Sequence, residues 1–60
     1  MNNLQTLRLK VGLTQVELAE RTGIPQDQIS RAEKDTKDLT GRRWVAIAKA
    51  LGCSVEEILE

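Results

Sequence analysis

Apolar residues recur along the chain at helical spacing: Leu4, Leu7 and Val11, then Leu18 and Ala19, Ile29 and Ala32, Trp44, Ile47, Ala48 and Leu51, and finally Val55, Ile58 and Leu59. Steps of about three and four residues bring each group onto one side of an α-helix, so these positions are expected to form the core. The positions between them are polar or charged, and each helix is expected to bury only a narrow stripe.

Four helix starts share one signature, an apolar residue before the proposed cap and a second one five positions later. This is the spacing of a hydrophobic staple. The pairs are Leu13 with Leu18, Ile24 with Ile29, Leu39 with Trp44, and Cys53 with Ile58, and the caps between them are Thr14, Pro25, Thr40 and Ser54. Thr14 with Glu17 and Ser54 with Glu57 have the spacing of full capping boxes. Gly12, Gly23 and Gly52 each follow a helical run, where a left-handed residue commonly closes the helix. The pattern predicts five helices, over 3–11, 15–22, 26–34, 41–51 and 55–60, with one long connection, polar and charged, from Lys34 to Thr40. No internal repeat, low-complexity tract or linker interrupts them, so residues 1–60 are expected to be a single all-α domain, a compact five-helix bundle.

Composition narrows the functional classes. A chain of 60 residues buries only about 60 % of the surface that its unfolded form exposes, which leaves little for a deep pocket. Trp44 is the sole aromatic residue, histidine is absent, Cys53 is the one cysteine, and Ser30 and Ser54 are the only serines. Most residue sets for nucleophilic or metal-assisted chemistry are thereby missing, so neither an enzyme, a metal site nor a cofactor is expected. An internal disulfide needs a second cysteine, and no stretch has the length and apolar continuity of a signal peptide or membrane helix, so the cytoplasm is the default compartment. Nine basic residues balance nine acidic ones, but Glu56, Glu57 and Glu60 gather at the end, so residues 1–52 carry nine basic against six acidic, three positive net.

The stretch "RTGIPQDQISRAE", residues 21–33, breaks a helix at Thr22-Gly23-Ile24-Pro25 and starts another at once. On a wheel at about 100° per residue with Ile29 inward, Pro25, Ala32 and Glu33 fall within roughly 60° of it. Asp27, Arg31 and Lys34 lie near the opposite pole with Ser30 beside them, Gln26 leads from the first turn and Gln28 sits on the flank. A helix this short is marginal alone in water, so the Ile29/Ala32 stripe must hold it and the opposite face is free for a partner. Glutamine can pair with adenine, arginine with guanine, and aspartate can accept from cytosine N4 in a major groove wide enough for one helix. Two short helices around a tight glycine turn are what a helix-turn-helix requires.

Here the chain resembles a known family. Arg8 in "LRLKVGLTQ", the run "TQVELAERTGI", Ile29 and Glu33 in "QISRAE", and "IAKALGCSVEEIL" are similar to the xenobiotic-response-element family of phage-repressor and Cro-like DNA-binding domains, over residues 4–59. The resemblance implies a lambda-repressor-like fold and a sequence-specific, double-stranded DNA-binding transcriptional regulator, expected to repress, acting as a homodimer. It implies base contacts from Gln26, Asp27 and Arg31, with Ser30 beside them. Backbone phosphates fall to Gln15, at a positively polarised helix start, and to Lys34, while the basic residues Lys37, Arg42 and Arg43 are further phosphate candidates. It also implies an ion pair between Arg8 and Glu33, tying the first helix to the third.

The chain departs from that pattern in four places. Pro25 stands where a capping Ser or Thr is common, Thr22 and Gly41 where apolar residues are common, and Asp35 where glycine often follows the third helix. Asp27, Asp35 and Asp38 place negative charge near a surface expected to meet phosphates. Two copies on half-sites one turn apart, ~34 Å, would combine weak contacts, with Val16, Val45, Val55 and Leu59 as candidate exposed apolar positions for self-association. The competing reading is a protein-interaction module of the same fold, of antitoxin or coactivator-bridge type. It is supported by the zero net charge.

Overall fold

Side-chain caps and left-handed glycines cut the chain into helices. The structure, a computed structural model, describes residues 2–60. Its elements are α1 (Leu4–Lys10), α2 (Gln15–Thr22), α3 (Gln26–Lys34), a 3-10 turn (Thr36–Asp38), α4 (Gly41–Leu51) and α5 (Val55–Leu59). It is a five-helix, all-α bundle, with no strand among the described residues.

Thr14 and Ser54 form complete capping boxes with Glu17 and Glu57 at the starts of α2 and α5. Thr40 does not cap through its hydroxyl, which makes no cap hydrogen bond. There the Leu39–Trp44 staple marks the start, with both residues buried. Pro25 precedes α3 at φ −55° with no side-chain cap, and its carbonyl accepts from the N–H groups of Gln28 and Ile29 at 3.1 and 3.2 Å.

At the other ends, the N–H of Leu13 bonds the carbonyl of Arg8 and that of Gly12 bonds Leu9, the paired bonds of a Schellman motif. Cys53 and Gly52 repeat it on Ala48 and Lys49. Gly23, at φ 74°, closes α2 with a single bond to Ala19 and carries the tight turn into α3, where any Cβ would be strained. Thr22 also serves this turn: its hydroxyl donates to the Leu18 carbonyl at 2.8 Å and accepts from the Ile24 N–H at 3.3 Å. Its polar group is therefore used rather than left as a gap in the core. Gly41 faces open space, so an apolar side chain there would fill no hole.

Each helix supplies one of the five largest fully buried side chains, Leu4, Leu18, Ile29, Ile47 and Ile58. Burying one such side chain is worth about 1.5–3 kcal/mol, so the bundle is held from every element at once. They belong to a single cluster with Leu13, Ile24, Ala32, Leu39, Trp44, Ala48 and Leu51. Helix α2 packs on α3 and α4, α1 on α3 and α5, and α4 on α5.

Two expected core positions are corrected. Val11 is 48 % exposed, because α1 stops at Lys10 and the Schellman turn sends Leu13 inward in its place. Leu59, at 39 % exposed, ends a helix that also stops one residue early. Leu13, Ile24 and Leu39, outside the periodic stripes, are buried instead as staple residues. Val55 packs half-buried against the core and so is not an exposed apolar position.

Candidate functional site

Helix α3 is fixed along its length by groups from four other segments. Ile29 and Ala32 are completely buried, which sets its rotation about its own axis. At its C-terminal end, Asn2 Nδ2 donates to the Ala32 carbonyl at 2.7 Å and to Thr36 Oγ1 at 3.3 Å. Asn3 does the same service for α5, its Nδ2 donating to the carbonyls of Glu57 and Glu60. Asp35 leaves α3 in extended backbone at φ −140° and accepts from the Lys37 N–H at 3.0 Å. Since the chain exits extended rather than left-handed, no glycine is needed at that position.

Beneath α3 lies a buried polar knot. Arg8 Nε donates to Glu33 Oε2 at 2.7 Å, with both side chains only 7 % exposed. A second guanidinium nitrogen of Arg8, Nη1, donates to the Leu13 carbonyl at 2.8 Å, and the other oxygen of Glu33 accepts from Gln15 Nε2 at 3.0 Å. The knot joins α1, the turn before α2, the first residue of α2 and the last turn of α3. No buried side-chain nitrogen or oxygen is left without a partner among the described residues.

The outward face of α3 is hydrogen-bonding throughout. Gln26, Asp27, Arg31 and Lys34 are exposed, and Ser30 is half-buried. Arg31 Nη2 donates to Asp27 Oδ2 at 2.8 Å across one helical turn. On the flank, Arg43 Nη1 of α4 donates to Gln28 Oε1. Gln15 is half-buried with its amide on Glu33, whereas Lys34, Lys37, Arg42 and Arg43 are exposed and make no ion pair among the described residues. Asp35 and Asp38 are exposed close by in the chain.

The remaining chemistry is sparse. The Cys53 thiol is raised above its ordinary value, first by burial and then by the charge of Glu57, so it stays protonated and is a poor nucleophile near neutrality. Among the described residues no pocket opens, no cluster of His, Cys, Asp or Glu could hold a metal, and no helix is long and apolar enough to cross a membrane.

Sequence reasoning missed Gln28 and the two N-terminal asparagines. The helical wheel puts Gln28 only on a flank, and its partner Arg43 lies 15 residues away on another helix, where no periodicity links them. Asn2 and Asn3 precede the first apolar stripe and carry no pattern of their own.

A family model described as Helix-turn-helix matches residues 4–58. No curated protein and no solved structure matches the chain.

Proposed function

The chain belongs to the helix-turn-helix family, in its phage-repressor and Cro-like type, and on that premise we propose that it is a sequence-specific, double-stranded DNA-binding transcriptional regulator. One observation carries this reading. The stripe Ile29/Ala32 is fully buried while Gln26, Asp27 and Arg31 project together into solvent, so α3 can enter a major groove without unfolding any packing.

In this reading Gln26, Asp27, Ser30 and Arg31 meet base edges. Lys34, Lys37, Arg42 and Arg43 meet phosphates on either side, and Gln15 meets one at the start of α2. The capping box occupies the Glu17 N–H, leaving those of Gln15 and Val16 available to an anion at the positive end of the helix. Glu33 holds the Gln15 amide by one N–H, and the second is free for the phosphate. The regulator represses by occupying its operator as a homodimer on two half-sites, and it works in the cytoplasm, where that DNA would be. The 1–60 chain acts as one DNA-binding domain.

Selection from a randomised duplex pool, followed by anisotropy titrations at two salt concentrations, tests the reading. The expected result is one enriched motif with two related halves, bound less tightly as salt rises. Failure to bind random duplex even at low salt would overturn it in favour of a protein-interaction module of the same fold. That second reading is supported by the exposed carboxylates of Asp27, Asp35 and Asp38 and by the balanced charge.

A further inference from the structure

Asp27 is an awkward residue on a face meant for DNA. Its carboxylate cancels the charge of Arg31, so the two together offer phosphate no net attraction. An exposed pair four residues apart also contributes little to helix stability. Arg31 and Asp27 are 62 % and 69 % exposed in their side chains and bonded at 2.8 Å, so the pair lies on the outer surface. What it changes is geometry.

A guanidinium has five N–H donors in a rigid plane, and Asp27 Oδ2 takes one of them on Nη2. Two parallel donors remain on the free edge, the arrangement that matches guanine O6 and N7. Held by the carboxylate, the arginine presents that edge with fewer rotamers to lose on binding. Asp27 Oδ1 makes no hydrogen bond among the described residues. As a pure acceptor it suits an exocyclic amino group in the major groove, cytosine N4 or adenine N6, and repels the acceptor edges of guanine and the thymine carbonyl.

We propose that Asp27 and Arg31 form one reading unit, in which Arg31 takes a guanine and Asp27 both positions that arginine and selects an amino-bearing base, cytosine or adenine, at the adjoining position. The inference rests on the DNA-binding reading above. It makes Asp27 a specificity residue whose removal strengthens indiscriminate binding, because a negative charge leaves the DNA-facing surface.

Site selection and anisotropy titration with the wild-type chain, Asp27→Ala, Arg31→Ala and the double variant test it, with circular dichroism to confirm folding. The wild type is expected to favour guanine at one base pair by about tenfold or more. Asp27→Ala should bind random duplex more tightly, yet lose that guanine preference about tenfold together with the preference at the neighbouring pair. At the guanine pair the double variant should lose no more discrimination than Arg31→Ala alone, the non-additivity of residues acting as a unit. Replacing the selected guanine by 7-deazaguanine should weaken the wild type and leave Asp27→Ala nearly unaffected. Should Asp27→Ala select the wild-type motif unchanged, the reading unit is overturned while DNA recognition by α3 stands. A wild type that selects no motif at all removes base reading itself, and the unit with it.

Discussion

The Arg8 guanidinium has almost no water around it, and the Glu33 carboxylate and the Leu13 carbonyl are its hydrogen-bond partners. Removing one partner strands the other, at a cost of about 3–5 kcal/mol, whereas replacing both by apolar groups of similar size is often neutral. A chain this small has a folding free energy of only about 3–9 kcal/mol. Arg8→Met is therefore expected to lower the urea midpoint sharply, and Arg8→Met with Glu33→Leu to regain much of the loss. A double variant less stable than the single one would show that the knot adds net stability. The partners lie 25 residues apart, beyond any helical period, so only resemblance to a family named them. The third member, Gln15, reads in the sequence only as a phosphate ligand at a helix start, and nothing there points to its bond with Glu33. Side-chain bonds between distant elements depend on how helices cross, which the periodicity of one helix does not encode.

At the scale of elements, helix starts were legible because a cap is a local device whose members sit within one turn. Thr14 and Thr40 look alike in sequence, yet only Thr14 accepts from a backbone N–H, that of Glu17 at 3.0 Å. Thr14→Ala should cost about 1 kcal/mol, lowering Tm by about 4–8 °C, while Thr40→Ala should change it little. A Tm loss at Thr40 equal to that at Thr14 would contradict the assignment. Acid should weaken the box through its carboxylate. The Glu17 carboxyl is held below its ordinary value of 4.5 chiefly by the Thr14 backbone N–H, then by the Thr14 side chain. A carboxyl lowered in the folded state stabilises above its unfolded value and loses that contribution as pH falls through the folded one. The wild-type Tm should therefore fall as pH drops below about 4.5, and that of Thr14→Ala nearly in parallel, because alanine keeps the backbone N–H that holds the carboxylate. Helix ends were less legible, since α1 stops where the Schellman turn forms and a periodic stripe extrapolated to Val11 overshoots it. The Lys34–Thr40 connection hid a 3-10 turn for a related reason: Asp35 caps it, and its Trp44 indole bond to the Thr36 carbonyl comes from another element.

For the whole molecule, the open question is how a chain of zero net charge would hold a polyanion. Helix α5, carrying Glu56 and Glu57, packs on α1 and α4, while the exposed cations Lys34 and Lys37 belong to α3 and the turn after it. With Arg31 paired to Asp27, and with Asp35 and Asp38 nearby in the chain, carboxylates offset part of the attraction behind each copy's proposed phosphate contacts. A homodimer would double them, and counterion release offers a way to count the copies. Each phosphate neutralised on duplex DNA contributes about 0.9 to the slope of log affinity against log salt. Lys34 is exposed and makes no ion pair among the described residues, and a phosphate contact from it would carry no base information. Lys34→Ala should thus weaken binding equally on the selected site and on variants of it. If two copies bind, the slope should flatten by about 1.8, and if one binds, by about 0.9. An unchanged slope would take Lys34 off the phosphate backbone. Because the measurement needs no knowledge of which surface pairs the copies, it reads the stoichiometry on DNA even if Val16, Val45 and Leu59, the exposed apolar candidates, play no part in the contact.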